Sequence, residues 1–374
     1  MSFSESPLVD VLDFFNGKAP PKTQGGAYPV FGSNGQIGWS DKFNHEQAVI
    51  IGRVGAYCGS IEVCRGKFWA SDNTIVVKPK QDNDLNYLYY KLGSMPLRGY
   101  AGGAAQPLLT QGVLKSVKSL FADPETQVEI SQILKKYDDL IENNKRRIEL
   151  LEESARQLYK EWFVRFRFPG HEHVKIIDGV PDGWNKGCVS DLGQVITGKT
   201  PSTKVKENFG GDIPFIKTPD MHASSIIFEP EEYLSDRGAN TQANKYLPKF
   251  SILVACIGAR LGVVSLNARR CQTNQQINAI IPRSEMYTFY SYLTLKGFRE
   301  KLLAIGGGAT MPNVNKSKFS GMEVLIPPES FLESFRDVVA QPFSQMEKLI
   351  EMNSKLTQAR DLLLPKLMNG EIAV

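Results

Sequence analysis

Residues 123–162 read DPETQVEISQILKKYDDLIENNKRRIELLEESARQLYKEW. Asp123, Pro124 and Glu125 make a cap and an acidic first turn. Apolar side chains then return at Ile130, Leu134, Tyr137, Ile141, Ile148, Leu151, Ala155, Leu158 and Trp162, in steps of four and three, with Asn144 filling the one gap. The spacing predicts a helix over residues 127–162, which is 36 residues and so about 54 Å of rod. A sustained seam with one polar member is the pattern of a coiled coil whose buried Asn fixes register at some cost in stability.

A second stretch repeats the alternation at Phe335, Val339, Pro342, Met346, Leu349, Asn353, Leu356, Arg360, Leu363 and Leu367. Asn353 follows Asn144 by 209 residues and takes the equivalent seam position. Pro342 and Arg360 interrupt the apolar run, so a kink near the start and a less regular end are expected. The plainer alternative is two amphipathic helices, each lying on its own globular domain. Paired around a pseudo-twofold axis, the helices run antiparallel and carry their globular parts to opposite ends as a spacer.

The rest of the chain also repeats. Gly17-Lys18-Ala19-Pro20 matches Gly198-Lys199-Thr200-Pro201 at an offset of 181, and residues 28–31 match 213–216 at 185. Residues 54–59 and 70–77 match 257–262 and 273–280 at 203, residues 103–107 match 308–312 at 205, and residues 140–142 match 349–351 at 209. The offset grows steadily, as loop insertions in a second copy produce. Within each copy, short runs rich in Val, Ile, Phe and Tyr alternate with Gly, Pro and Asn, as at residues 48–51, 74–77, 251–257 and 276–281, which predicts strands. Two helical patterns interrupt them, at residues 85–92 and 286–303.

The 374 residues suit two or three domains, and 42% hydrophobic with 22% charged residues is ordinary globular composition. No apolar run approaches the roughly 20 residues that cross a bilayer, and residues 1–15 lack the basic head of an export signal. Five cysteines (Cys58, Cys64, Cys188, Cys256, Cys271) without a Cys-x-x-Cys pair exclude a disulfide framework or zinc knuckle and point to a reducing cytoplasm. The net charge of +4 is mild, but residues 43–122 and 186–283 each carry an excess of four positive charges, while residues 125–162 carry an excess of two negative ones.

Residues for catalysis are missing. A methyltransferase needs a Gly-rich turn for its adenosyl cofactor and an Asn/Asp-Pro-Pro-aromatic loop for a flipped base, but Gly306-Gly307-Gly308 runs into Ala-Thr-Met-Pro and Pro327-Pro328 into Glu-Ser. Neither Pro181-Asp182 nor Pro219-Asp220 is followed by the Asp/Glu-x-Lys triplet of a metal-dependent nuclease. His171 and His173 lie in a polar linker, and His45 and His222 are isolated. No catalytic residue, metal site or cofactor is expected. Polar positions shared by the copies suit recognition instead. Lys18 and Lys199, on fixed Gly-Lys-x-Pro turns, suit a phosphate. Tyr57 and Arg260, and Asp72-Asn73 against Asn274-Gln275-Gln276, are places where the copies differ in hydrogen-bonding character, as readers of different bases should. Arg53, Gln106, Lys217 and Asn313 complete the candidates on the same segments. Each position is also compatible with plain turn polarity.

Residues 151–172, LEESARQLYKEWFVRFRFPGHE, with DGVPDGW at 178–184 and LLLPKLMNGEI at 362–372, resemble the central and terminal conserved regions of specificity subunits of type I restriction-modification systems. The resemblance covers the whole chain. It implies an α+β fold in which two mixed α/β target-recognition domains, residues 1–124 and 166–330 with its linker, are separated by two long helices, residues 125–165 and 331–374, that form an antiparallel coiled coil. It further implies a non-catalytic cytoplasmic subunit that reads a bipartite, asymmetric site in double-stranded DNA. Its helices would dock methyltransferase (modification) subunits, two of them, with restriction/translocase subunits as further partners. Apart from the resemblance, a rod that holds both domains on one side of the duplex sets half-sites about 10 bp apart between centres. A duplicated coiled-coil scaffold that binds only proteins is the alternative. The first copy has no counterpart of Pro181-Asp-Gly-Trp184, so its domain either begins abruptly or borrows support from the C-terminal end.

Overall fold

A computed structural model describes residues 2–21, 25–103, 107–222, 224–307 and 312–374. The chain forms two compact units, one of Met1–Glu142 with Ser354–Val374 and one of Asn143–Asn353.

The central helix spans Pro124–Tyr159 and passes into a π turn, Lys160–Val164. Asp123 caps it, its carboxylate accepting from the Thr126 backbone N–H at 3.0 Å and from that of Ser2 at 2.6 Å. Those two bonds hold the Asp123 carboxyl well below the usual carboxylate range. The C-terminal helix spans Glu329–Met368, and Pro342 does not end it. The carbonyl that loses its donor there belongs to Val338, a residue 54% exposed, where water can take the bond.

Within the second unit the helices pair antiparallel: Asn144 meets Asn353 at 2.9 Å, while Trp162 meets Phe335 with ring centroids 5.7 Å apart. The seam departs from the sequence reading at one place. Phe343 is fully buried where Pro342 was expected, because the step after Val339 is four residues and not three. Within the first unit, Ile130 and Leu134 share a core with Leu367 and Met368, and Arg360 reaches Asp138 at 2.6 Å. Arg360 thus interrupts the apolar run through an ion pair.

In the first unit a six-stranded sheet runs in the order Leu12–Asn16, Thr74–Pro79, His45–Gly52, Ile61–Ala70, Tyr28–Gly32, Gly35–Ser40. In the second, a five-stranded sheet runs Gly193–Thr197, Ile277–Pro282, Ile252–Ala255, Val264–Asn267, Ile226–Ile227. The first four strands correspond in order. The parallel pairing of Val30 with Trp69 recurs as Phe215 with Gln272, although the single strand Ile61–Ala70 becomes two, Val264–Asn267 and Gln272–Thr273, in the second copy. The helix Leu85–Gly93 corresponds to Tyr287–Lys296; the longer pattern at 286–303 divides there, a second helix following at Arg299–Gly306.

The duplication is plainest in loop hydrogen bonds. Lys18 N donates to Ala70 O and Lys199 N to Thr273 O, both at 2.9 Å. Arg53 N to Asn73 O at 3.1 Å recurs as Cys256 N to Gln276 O at 2.8 Å, and Ser71 N to Phe31 O at 2.9 Å as Asn274 N to Ile216 O at 3.2 Å. Gly55 N to Pro107 O and Gly258 N to Pro312 O likewise match, at 3.1 and 2.9 Å.

The central aromatic motif is a packing motif. Trp162, Phe163, Phe168 and Trp184 are buried with Phe335 in one core, Phe163 lying 4.8 Å from Tyr290 and 4.9 Å from Phe335, and Phe168 5.6 Å from Trp184. In the first unit the C-terminal end supplies the equivalent support. Leu367 and Met368 are buried, Phe3 lies over Gly370, and the buried Lys91 donates to the Met368 carbonyl at 3.2 Å.

Candidate nucleic-acid interface

In each unit the shared loop bonds gather four segments at one place. In the first unit these are the turn after Leu12–Asn16, the Ser33 turn, the loop after His45–Gly52, and the turn 71–73. Ser33 ties them together: its hydroxyl donates to Asn73 O at 2.7 Å, accepts from Val54 N at 3.3 Å, and its carbonyl accepts from Ser60 Oγ at 2.5 Å. Close approach makes a glycine necessary before each turn lysine. A Cβ on Gly17 would lie 1.8 Å from Ser71 O, and one on Gly198 would lie 2.2 Å from Asn274 O.

On this scaffold Lys18, Tyr57, Asp72 and Asn73 are exposed, Tyr57 by 60%. Arg53 is half-buried, and its Nε has no hydrogen-bond partner among the described residues. Gln106 lies outside the described residues. In the second unit Lys199, Gln275 and Asn313 are exposed. Thr200 Oγ1 donates to Gln275 Oε1 at 2.7 Å, which aims that amide.

Four candidates, Asn274, Gln276, Arg260 and Lys217, are engaged within the domain. Asn274 is 8% exposed; its Oδ1 accepts from Gln276 N and its Nδ2 donates to Gln276 Oε1, both at 3.2 Å, while Thr218 Oγ1 donates to the same Gln276 oxygen at 3.0 Å. Arg260 Nη1 donates to the carbonyls of Thr218 and Pro219 at 3.1 and 3.0 Å, and Lys217 pairs with Glu232 at 3.0 Å. Asn274 and Gln276 therefore brace the turn that presents Gln275, and Arg260 holds the Thr218–Pro219 backbone. Sequence reading gave all of them one role because turn polarity does not reveal which amides satisfy one another.

Each recognition domain is also bolted to the helices of its unit. In the second unit Glu152 accepts from Ser225 Oγ, from Lys296 Nζ and, at 2.7 Å, from Tyr292 OH. Burial pushes the Glu152 carboxyl up, but the Lys296 charge and the three donors outweigh it and the pKa falls below the ordinary value. In the first unit Tyr90 OH donates to Asp138 at 2.5 Å beside the Arg360 pair. A cleft of about 700 Å³ borders Glu152, lined by Lys145, His222, Lys296 and Arg299 among others.

The arrangement offers hydrogen-bonding side chains and cations from several loops at one place, which is what reading base edges and holding phosphates require. Among the described residues no cluster of three or more His, Cys, Asp or Glu could hold a metal ion, and no helix is long and apolar enough to cross a membrane. All five cysteines are free thiols.

The chain matches the family model of the type I restriction modification DNA specificity domain twice, over residues 2–153 and 181–358. It is 36% identical over 329 residues to the type I restriction enzyme HindI specificity subunit of Haemophilus influenzae, covering 71% of each chain. The MjaIX specificity subunit of Methanocaldococcus jannaschii is 24% identical over 390 residues, covering 99% of this chain and 90% of that one. Among solved structures, the S subunit of a type I restriction-modification system from M. genitalium superposes with a TM-score of 0.65 at 18% identity, over 98% of this chain and 96% of that one, which shows a common fold.

Proposed function

The chain belongs to the type I restriction modification DNA specificity family, and from that premise we propose that its two recognition domains read the two different halves of one bipartite, asymmetric site in double-stranded DNA. It is the specificity subunit, and catalytic activity resides in partner subunits. One observation carries the bipartite reading: the two copies keep the same set of loop backbone hydrogen bonds while presenting Tyr57, Asp72 and Asn73 in one and Gln275 in the other, where Arg260 and Gln276 fold back onto the domain. A fixed frame with changed side chains is how one fold reads two sequences.

The long helices dock two methyltransferase subunits, one on each unit, and the complex recruits restriction/translocase subunits. Exposed apolar residues support this: Leu140 and Leu362 in the first unit, and Leu150, Val338 and Met352 in the second, are between 49% and 69% exposed on the long helices. A partner that is cellular DNA makes the cytoplasm the working compartment.

Exchange of residues 1–122 for a homologous domain, followed by methylation mapping in cells, tests the proposal. The motif changes in one half only; a change in both halves refutes the two-reader arrangement. A gel shift with and without the methyltransferase partner separates this function from a scaffold that binds only proteins.

A further inference from the structure

Gly59 and Gly262 stand at equivalent places, each closing the loop that carries Tyr57 or Arg260. Gly59 N donates to Gly52 O at 2.7 Å and Gly262 N to Ala255 O at 2.9 Å, with φ of 89° and 86°. Each is pressed against an arginine. A Cβ on Gly59 would lie 2.7 Å from Arg98 N and 3.1 Å from its Cα; one on Gly262 would lie 2.8 Å from Arg299 Cγ and 3.0 Å from its Cα. The residues before them, Leu97 and Phe298, are both buried. Arg98 and Arg299 are therefore structural counterparts, although their separation of 201 falls outside the 203 and 205 of the flanking matches. The second copy lacks two residues between the preceding helix and the arginine, which hides the equivalence from the sequence.

Both arginines are exposed. Arg98 Nη1 donates to Ala56 O at 3.2 Å, next to Tyr57. Arg299 borders the cleft with His222, and its guanidinium has no hydrogen-bond or ion-pair partner among the described residues. The loop positions around them have diverged, the exposed Tyr57 standing against the half-buried Arg260 and the exposed Asp72 against the exposed Gln275. A cation retained while the reading side chains change suits the part of DNA that does not vary with sequence, the phosphate backbone, and a guanidinium fork matches phosphate oxygens.

We propose that Arg98 and Arg299 are a matched pair of phosphate clamps, one beside each reading loop, that fix each domain on the duplex without contributing to base choice. The proposal rests on the reading that both copies bind DNA. The test uses the full chain in complex with its methyltransferase subunits, titrated across a salt series against a duplex carrying its methylation motif and against one with a half-site scrambled. Arg98→Gln and Arg299→Gln each weaken binding to both duplexes by the same factor, about tenfold. Each also lowers the slope of log affinity against log salt by about one, additively in the double variant. Arg98→Lys and Arg299→Lys keep the wild-type slope, and the mapped motif is unchanged in all variants. An unchanged slope in the glutamine variants, or a loss confined to the motif duplex, overturns the clamps while leaving DNA reading intact. A wild-type complex that binds neither duplex overturns both.

Discussion

Asn144 Nδ2 donates to Asn353 Oδ1 at 2.9 Å, so two residues 209 positions apart, at the same place in each repeat, meet across an antiparallel helix pair. Asn144 is only 4% exposed. The pair bonds only when the helices are in one register, because a slip sets the buried Asn144 amide against apolar seam neighbours. Asn144→Leu takes this bond from Asn353 and sets an apolar side chain against its amide, which lowers the midpoint of urea unfolding by the equivalent of about 1 kcal/mol. The double variant Asn144→Leu/Asn353→Leu recovers the midpoint but loses the unique register, which disulfide trapping between cysteines placed along the two helices reads as several products instead of one. A single product from the double variant would take the register role away from this pair.

The bolt on Glu152 makes a pH prediction. Its carboxyl has a pKa below the ordinary value in the folded chain, so the stability it contributes is present above the unfolded value, near 4.5, and is lost as the pH falls through the folded one. Glu152→Gln removes that part of the acid dependence and leaves the Lys296 ammonium without its counter-charge at neutral pH. Thermal melts from neutral to acidic pH therefore converge: the variant is weaker at pH 7 by about 1–3 kcal/mol and nearly equal to wild type at the acid end. Parallel curves, with the same gap at every pH, would show that the carboxylate's charge is not what holds the domain.

In the second reading loop, two neighbours differ in what they do. Gln275→Ala leaves melting unchanged and relaxes base discrimination at one position of one half-site, by about 1–3 kcal/mol if its amide makes a bidentate contact. Asn274→Ala removes the brace under Gln276 and lowers the melting temperature. Methylation mapping and calorimetry on both variants decide between these roles, and a relaxed motif with unchanged melting in Asn274→Ala would reverse the assignment.

The long helices and the duplication were legible because both are periodic: a heptad seam and an ordered series of offsets survive divergence. The seam erred at Pro342, since nothing in the sequence says whether the step after Val339 is three or four, and only packing selects the fully buried Phe343. Asn274 looked like a reader because its burial depends on Gln276 and Thr218 folding back over it. Arg98 and Arg299 were invisible because a two-residue deletion broke the register between copies. Such relationships are fixed by contacts across the fold, where local pattern carries no signal.

The two copies are closed by different segments of the chain. The second copy opens on Trp184, packed among Phe163, Phe166 and Phe168 from the end of the central helix and its linker. In the first copy Phe3, on the strand Phe3–Pro7, lies against Gly370 beyond the C-terminal helix. Gly370 has φ of 72°, and a Cβ there would stand 2.9 Å from the Phe3 ring. Gly370→Ala therefore meets both backbone strain and a clash, and costs about 1 kcal/mol or more. Phe3→Ala removes the ring and costs less than the about 3–5 kcal/mol typical of a fully buried aromatic, since Phe3 is only half-buried. Because the ring is what Gly370→Ala collides with, the two substitutions are coupled, and the double variant is more stable than the sum of the singles implies. Hydrogen exchange localises the effect: protection falls in the first unit, at Phe3–Pro7 and its partner strand Lys118–Ala122, and is unchanged around Trp184. Additive single losses, or loss of protection in both units, would mean that the C-terminal end does not close the first domain.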